Sequence, residues 1–294
     1  VTIALVSARA ARDLDEDLPP LIAAFRALDR PVSVVDWDDP NVDWRAFELA
    51  LLRSTWDYAT RLEEFFAWLE RTARLTRLVN PLPVVRWNTD KHYLADLARA
   101  GIPTVPSEFV EPGDDASRAL ARFRERHGAG ELVVKPAIGA GSRDAQRHRG
   151  ADTAGIEAHV RRLIGAGRSA LMQPYLGRVD EQGETALIYF AGQFSHAIRK
   201  GALLRTGVGP TDQLFAAETI TPREPTADER RVGEQTLRAI PFGTLLYARA
   251  DLIRDSHDAP CVLELELTEP SVFLLHDQGS ASRFAAAILA WAHP

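Results

Sequence analysis

Apolar positions along the chain recur with two periods, and the order in which those periods alternate sets out the architecture. TIALVSA (2–8) reads as an apolar strand and 17–29 has helical spacing. VSVVDW (32–37) and FELALLRS (47–54) are further strands, and an amphipathic helix follows over 61–76. Strand-helix alternation of this kind predicts a parallel sheet with helices on its faces. NPLPVVRWN (80–88), with two prolines, reads as a linker. WNTDKHYLADLARAG (87–101) reads as one helix, started by Asn88 or Thr89 and stopped by Gly101.

Beyond it the pattern changes. A strand over 102–110, a helix over 114–127, a strand over 131–137, a Gly loop at 139–143, a helix over 152–165 and a strand over 169–176 form a small α+β unit. The stretch 184–200 is two strands joined by Ala191-Gly192, a hairpin signal. A polar loop at 201–212 precedes a helix at 226–239, strands at 245–255 and 260–270, and a helix at 281–291. The fold class expected is therefore α/β and α+β. A parallel N-terminal domain spans 1–86, a small central domain 87–172, and a C-terminal antiparallel-sheet domain 173–294.

Composition narrows the function. A chain of 294 residues buries a large core without staples, and its single cysteine, Cys261, excludes a disulfide framework and a Cys-based zinc site. A net charge of −6 argues against a nucleic-acid binder. No apolar run reaches membrane-spanning length, and the first residues lack the basic leader of a secretory signal, so a soluble cytoplasmic protein is expected, compatible with a homo-oligomer. Neither a Ser-His-Asp spacing nor a GxSxG elbow suggests a hydrolase, and the glycine fingerprint of a dinucleotide-binding oxidoreductase is missing.

Only three of the 35 basic residues are lysine: Lys91, Lys135 and Lys200. Where arginine has displaced lysine almost everywhere, the survivors mark places that need a compact ammonium. Side chains two apart share a strand face, so Arg249 and Asp251 point one way, as do Glu264 and Glu266, with Leu263, Leu265 and Leu267 opposite. If these strands pair, three carboxylates cluster beside one arginine. Like charges about 4 Å apart repel by roughly 4 kcal/mol at an intermediate dielectric, which a hard divalent cation relieves. Lys135 ends a strand before Gly139, Ala140, Gly141 and Ser142, a loop whose amides can face phosphate oxygens.

The stretch Gln173, Pro174, Tyr175 and Leu176 fits a hinge, with Leu171 and Leu176 on either side of a flat base. Asp180, Glu181 or Glu184 then reaches the ribose. Arg9, Arg53, Ser54, Thr55 and Asp57 lie beyond strand ends of the N-terminal sheet, where open α/β sheets bind ligands, and suit a small polar substrate. His196 precedes the polar loop, beside Lys200.

Taken in order, Asp90-Lys91, Lys135 to Ser142, Gln173 to Leu176, Lys200, Arg-x-Asp and Glu-x-Glu resemble the ATP-grasp superfamily of carboxylate–amine ligases across nearly the whole chain. RSTWDY, WNTDKHYL, KPAIGAGSRD, SHAIRK and LELELTEPS look like a bacterial subgroup near the glutathione synthetase ATP-binding fold. The resemblance implies an ATP-grasp fold whose central domain is a lid. ATP would be bound by Lys91 and Lys135, and its γ-phosphoryl charge neutralised by Arg249 and Lys200. Two Mg²⁺ ions, replaceable by Mn²⁺, would be held by Asp251, Glu264 and Glu266. The family usually has Asn where Glu266 stands, so Glu269 is a substitute candidate, otherwise assigned to substrate. The implied reaction activates a small amino-acid carboxylate as an acyl phosphate for attack by nitrogen. The best match is ring closure of O-ureido-D-serine to D-cycloserine in antibiotic biosynthesis. The alternatives are intermolecular peptide or amide ligation of the glutathione synthetase or D-alanine ligase type, and a non-catalytic nucleotide-binding module.

Overall fold

The computed structural model describes residues 2–207 and 219–292. The chain begins with β1 (Ile3–Ser7), α1 (Leu18–Ala27), β2 (Val32–Asp36), β3 (Leu49–Ser54), α2 (Leu62–Thr72) and β4 (Arg77–Val79). These four strands form a wholly parallel sheet in the order β2-β1-β3-β4. β1 and β3 are buried along their full length, as continuous apolar runs between two helical layers require.

Two short helices lead out of this sheet, α3 (Leu82–Asn88) and α4 (Tyr93–Arg99). They correct two expectations. The proline-rich stretch is a helix, because Pro81 caps it and Pro83 falls in its first turn, where no intrahelical partner for the amide is needed. The helix expected over 87–101 is broken after Asn88. The Asn88 side chain caps nothing; it donates to the Leu265 carbonyl at 2.7 Å and accepts from the Leu267 amide at 2.6 Å. The Lys91 amide then donates to the Ala137 carbonyl at 3.0 Å, and the helix resumes at Tyr93.

The central unit contains β5 (Glu108–Val110), α5 (Ala116–His127), β6 (Leu132–Pro136), β7 (Gln146–His148), α6 (Thr153–Gly165) and β8 (Ala170–Pro174). Its antiparallel sheet has the order β5-β8-β6-β7. Asp115 and Asp152 cap α5 and α6. Of the strand expected over 102–110, only three residues pair in this sheet.

The last part holds α7 (Val179–Gln182), β9 (Glu184–Phe190), β10 (Gln193–Lys200), β11 (Ile220–Pro222), α8 (Ala227–Ala239), β12 (Tyr247–Arg254), β13 (Pro260–Glu266) and α9 (Ser280–Ala292). Its five strands are antiparallel in the order β11-β10-β9-β12-β13. Ala191 and Gly192, both at positive φ, turn the β9–β10 hairpin. One core joins this sheet to the first. Ile3 and Leu5 share it with Ile188, Phe190 and Phe284, and the last two rings stack 4.3 Å apart. Residues 208–212 of the polar loop expected over 201–212 lie outside the described residues.

Candidate active site

The three sheets surround a cleft of about 480 Å³. Its floor is the β12–β13 pair. Arg249 stands opposite Glu266, and Asp251 opposite Glu264. The register slips just past this point, so that Leu252 faces Val262 and Leu263 is the extra residue of a bulge. Leu263 therefore leaves the Leu265 and Leu267 face, where alternation had placed it, and joins Val105, Val179, Ile253, Tyr175 and Leu176 in an apolar slot. Six residues of that slot line the cleft, including Leu263, and they suit a flat aromatic base. Leu171, expected as one side of the slot, is fully buried in the core beside Leu187 and Leu265.

Charges alternate across the floor. Arg249 grips Asp251 with two nitrogens, Nε at 2.8 Å and Nη2 at 2.9 Å, and its Nη2 also donates to Glu266. Its Nη1 donates to the Ser271 carbonyl at 3.0 Å. Lys200, at the end of β10, places Nζ 2.9 Å from Asp251 Oδ2 and 3.1 Å from Glu184. Lys91 pairs with Glu264 at 2.8 Å and donates to the Gly139 carbonyl at 3.1 Å. Lys135 reaches the same space from β6, and its ammonium has no hydrogen bond or ion pair among the described residues.

These neighbours set the protonation states. Burial pushes the Asp251 carboxyl up, but Arg249 and Lys200 outweigh it and bring it down to about 2. Glu264 is likewise held low, by Lys91 and Lys135 against its burial. Burial, against the attraction of Arg249 and with repulsion from Asp251 and Glu264 added, raises Glu266 to about 7. Glu269 is raised to about 8 by burial and by Glu266, and its Oε2 is buried without a hydrogen-bond partner among the described residues. Burial lowers Lys135, whereas Lys91 is raised, because Glu264 overcomes the same desolvation.

Hard oxygen donors in excess of cations are the chemistry of a magnesium site. Glu264, Glu266 and Glu269 all line the cleft. No group of three or more His, Cys, Asp or Glu side chains converges as a finished metal cage among the described residues. That fits Mg²⁺, which takes one or two carboxylates and completes its shell with water and phosphate. Asp251 lies behind the cleft lining: both its oxygens are engaged by Arg249 and Lys200, and it is only 1% exposed.

The loop after β6 forms the roof. Gly139, Ala140, Gly141, Ser142 and Arg143 line the cleft. Gly141 and Ser142 both have left-handed backbone, at φ 63° and 60°. Asp144 anchors the loop's end to Arg162 at 3.0 Å and Arg168 at 2.6 Å.

Several expected residues lie elsewhere. Arg9 is exposed and off the cleft. Arg53 is wholly buried and bonded to Asp17, Ser54 bonds Ser7 at 2.8 Å, and Thr55 is buried. Asp57 accepts from Trp37 Nε1 at 2.9 Å and from Arg61 at 3.1 Å. His196 is fixed between Ser195 Oγ and the Val272 carbonyl, at 2.9 and 2.8 Å. Glu181 is exposed and bonds Arg199 only through its carbonyl; Glu184 is the acid on the cleft wall. Among the wall residues that were missed are Trp56 and Tyr58, and the acidic run Asp15, Glu16 and Asp17. The Trp56 indole donates to the Glu269 carbonyl at 3.1 Å, and Tyr58 lies against the Glu269 carboxyl. They follow Ser54 by two and four residues, in the same RSTWDY stretch, which was a readable signal.

Comparison with known proteins agrees with this geometry. Residues 3–80 match the family model described as the N-terminal domain of D-cycloserine synthetase DcsG. The chain is 40% identical over 295 residues to the cycloserine biosynthesis protein DcsG of Streptomyces lavendulae, covering 97% of each. It superposes on the crystal structure of D-cycloserine synthetase DcsG with a TM-score of 0.92 and 40% identity, over 99% of this chain and 100% of that one. D-alanine–D-alanine ligase from Bacillus anthracis has the same fold at 15% identity, with a TM-score of 0.68 over 99% and 97% of the two chains. A floor of paired acids and bases under a glycine loop, in a chain this similar end to end, places the protein in the DcsG family of ATP-grasp ligases.

Proposed function

We propose that the protein closes O-ureido-D-serine to D-cycloserine, in the cytoplasm, at the cost of one ATP. The observation that carries this reading is the Lys200–Asp251–Arg249 array, aimed into a cleft whose other end is an apolar slot, in a chain 40% identical to a cycloserine biosynthesis protein. Residues 1–86 form the substrate side, 87–172 the lid and 173–294 the catalytic floor.

The adenine occupies the slot around Tyr175, Leu176, Ile253 and Leu263, beside Gln173 and Pro174, with Glu184 nearest the ribose. Lys91 and Lys135 hold phosphate oxygens under the Gly139–Arg143 loop. Two Mg²⁺ ions, or Mn²⁺ in their place, would be held by Glu264, Glu266 and Glu269 and would neutralise the phosphate charge. Arg249 and Lys200 stabilise charge on the transferring phosphoryl group, the main task of a site for this chemistry. Trp56, Tyr58 and Glu269 Oε2, without a hydrogen-bond partner among the described residues, form the amino-acid end.

One substrate carboxylate oxygen attacks the γ-phosphorus and ADP leaves. The oxygen-bound nitrogen of the ureido group then attacks the acyl carbon, phosphate leaves, and a five-membered ring closes. Water must remove the carbamoyl group from that nitrogen, as carbon dioxide and ammonia, for the atoms to balance. Internal attack gains a high effective molarity. The roof loop and Leu203 and Leu204 screen the acyl phosphate from water.

ADP release tests the reading across D- and L-O-ureidoserine, single amino acids and pairs of amino acids. Release with O-ureidoserine alone, accompanied by cycloserine, supports it. Release only with two amino acids present replaces it with intermolecular ligation. Nucleotide binding with no release under any condition replaces it with a non-catalytic module.

A further inference from the structure

Arg53 and His196 do not face the cleft, yet His196 ends on one short turn that does and Arg53 on the carboxylate that holds it. The carboxylate of Asp17, at the start of α1, accepts three successive amides of this turn: Val272 at 2.6 Å and Phe273 at 3.2 Å on Oδ2, and Leu274 at 2.7 Å on Oδ1. Arg53, with no exposed surface, donates to the same Oδ2 at 3.2 Å and holds the carboxylate in place. His196 takes the Val272 carbonyl from the other side. Clamped in this way, Phe273 adopts a left-handed backbone, φ 52° and ψ 47°, which a bulky residue keeps only when its surroundings impose it. The turn's cleft side carries two contacts to Arg249. The Ser271 carbonyl accepts from its Nη1 at 3.0 Å, and the Phe273 ring lies 5.4 Å from its guanidinium carbon.

We propose that Asp17 is a positioning residue for the reaction. It holds the 271–274 turn in the conformation that lays a carbonyl and an aromatic face on Arg249, and so aims that guanidinium at the transferring phosphoryl group. The inference rests on the reading of Arg249 given above. Asp17 acts from the N-terminal domain on a side chain of the C-terminal sheet, so the two domains must be docked for the site to be complete. The nucleotide slot is built from other segments and needs no help from Asp17.

Steady-state ADP release by Asp17→Asn tests it, after the wild type has released ADP with O-ureidoserine. A silent wild type would overturn the proposed function itself, not this relationship. Asp17→Asn keeps the shape but loses one acceptor oxygen. The expected result is a kcat at least tenfold lower with KM for ATP changed less than twofold. In an Arg249→Lys background, the same change should alter kcat less than twofold, because the residue it positions has already gone. An unchanged kcat, or the same tenfold loss in both backgrounds, overturns the proposal. Should Asp17→Asn not fold, Phe273→Asn, which suits left-handed backbone but removes the ring, is read by the same two criteria.

Discussion

Lys91, between α3 and α4, and Glu264 on β13 meet at 2.8 Å, each the other's nearest opposite charge. Glu264 also stands opposite Asp251 in the β12–β13 register, and the two partners of the pair come from segments 173 residues apart in a 294-residue chain. Lys91→Met leaves Glu264 without that partner and removes a phosphate ligand. Stability should fall by about 1–3 kcal/mol, and the affinity for ATP should fall at least tenfold. Urea denaturation and nucleotide titration measure the two effects separately.

Lys135 predicts the opposite balance. Burial disfavours its charge, and no carboxylate pairs with it among the described residues. Lys135→Met should therefore leave the melting temperature unchanged or raise it, while ADP formation falls below a hundredth of wild type. Thermal unfolding beside a turnover assay decides this, and a clear loss of stability would contradict the picture of a lysine kept for its ligand.

Arg249→Lys keeps the positive charge but loses the planar fork that grips Asp251 with two nitrogens and reaches the Ser271 carbonyl with a third. The kcat should fall by roughly two orders of magnitude, the range measured when one transition-state donor is lost, with the fold intact. Initial rates together with circular dichroism of the variant check both parts.

The central unit carries a pH dependence of its own. His148 Nε2 and His159 Nδ1 lie 3.0 Å apart in its interior, away from the cleft. Burial, then Arg162 and His148, push His159 down to about 4, and burial also lowers His148. A base whose folded pKa is depressed binds more protons when unfolded, so stability rises with pH between the two values. Stability should be fully present above about pH 6.5 and be lost as pH falls toward 4, by roughly 2 kcal/mol between pH 7.5 and pH 5 for His159 alone. Denaturant melts at the two pH values measure the loss, and His159→Gln should shrink it.

Much of the floor was legible from sequence, because strand periodicity needs no tertiary knowledge. Arg249 and Asp251, and Glu264 and Glu266, share faces by spacing alone, and all three lysines do line the cleft. What failed depended on long-range partners. Asn88 has the chemistry of a helix cap, but the backbone of β13 claims its side chain. Leu263 has the phase of a core residue until a bulge turns it into the slot. Arg53 and His196 have the chemistry of substrate ligands, yet they brace a turn that only the folded chain brings near them. Among the strands of three residues, β4, β7 and β11 are too short to show a period, and β5 is only the end of the longer run expected there.

The fate of the carboxylate oxygens of O-ureido-D-serine tests the central claim most directly. With both oxygens isotopically heavy, activation as an acyl phosphate predicts that each turnover releases phosphate carrying one heavy oxygen and leaves the other in the cycloserine carbonyl. Phosphate that contains no heavy oxygen, while cycloserine still forms, would contradict an acyl phosphate on the path.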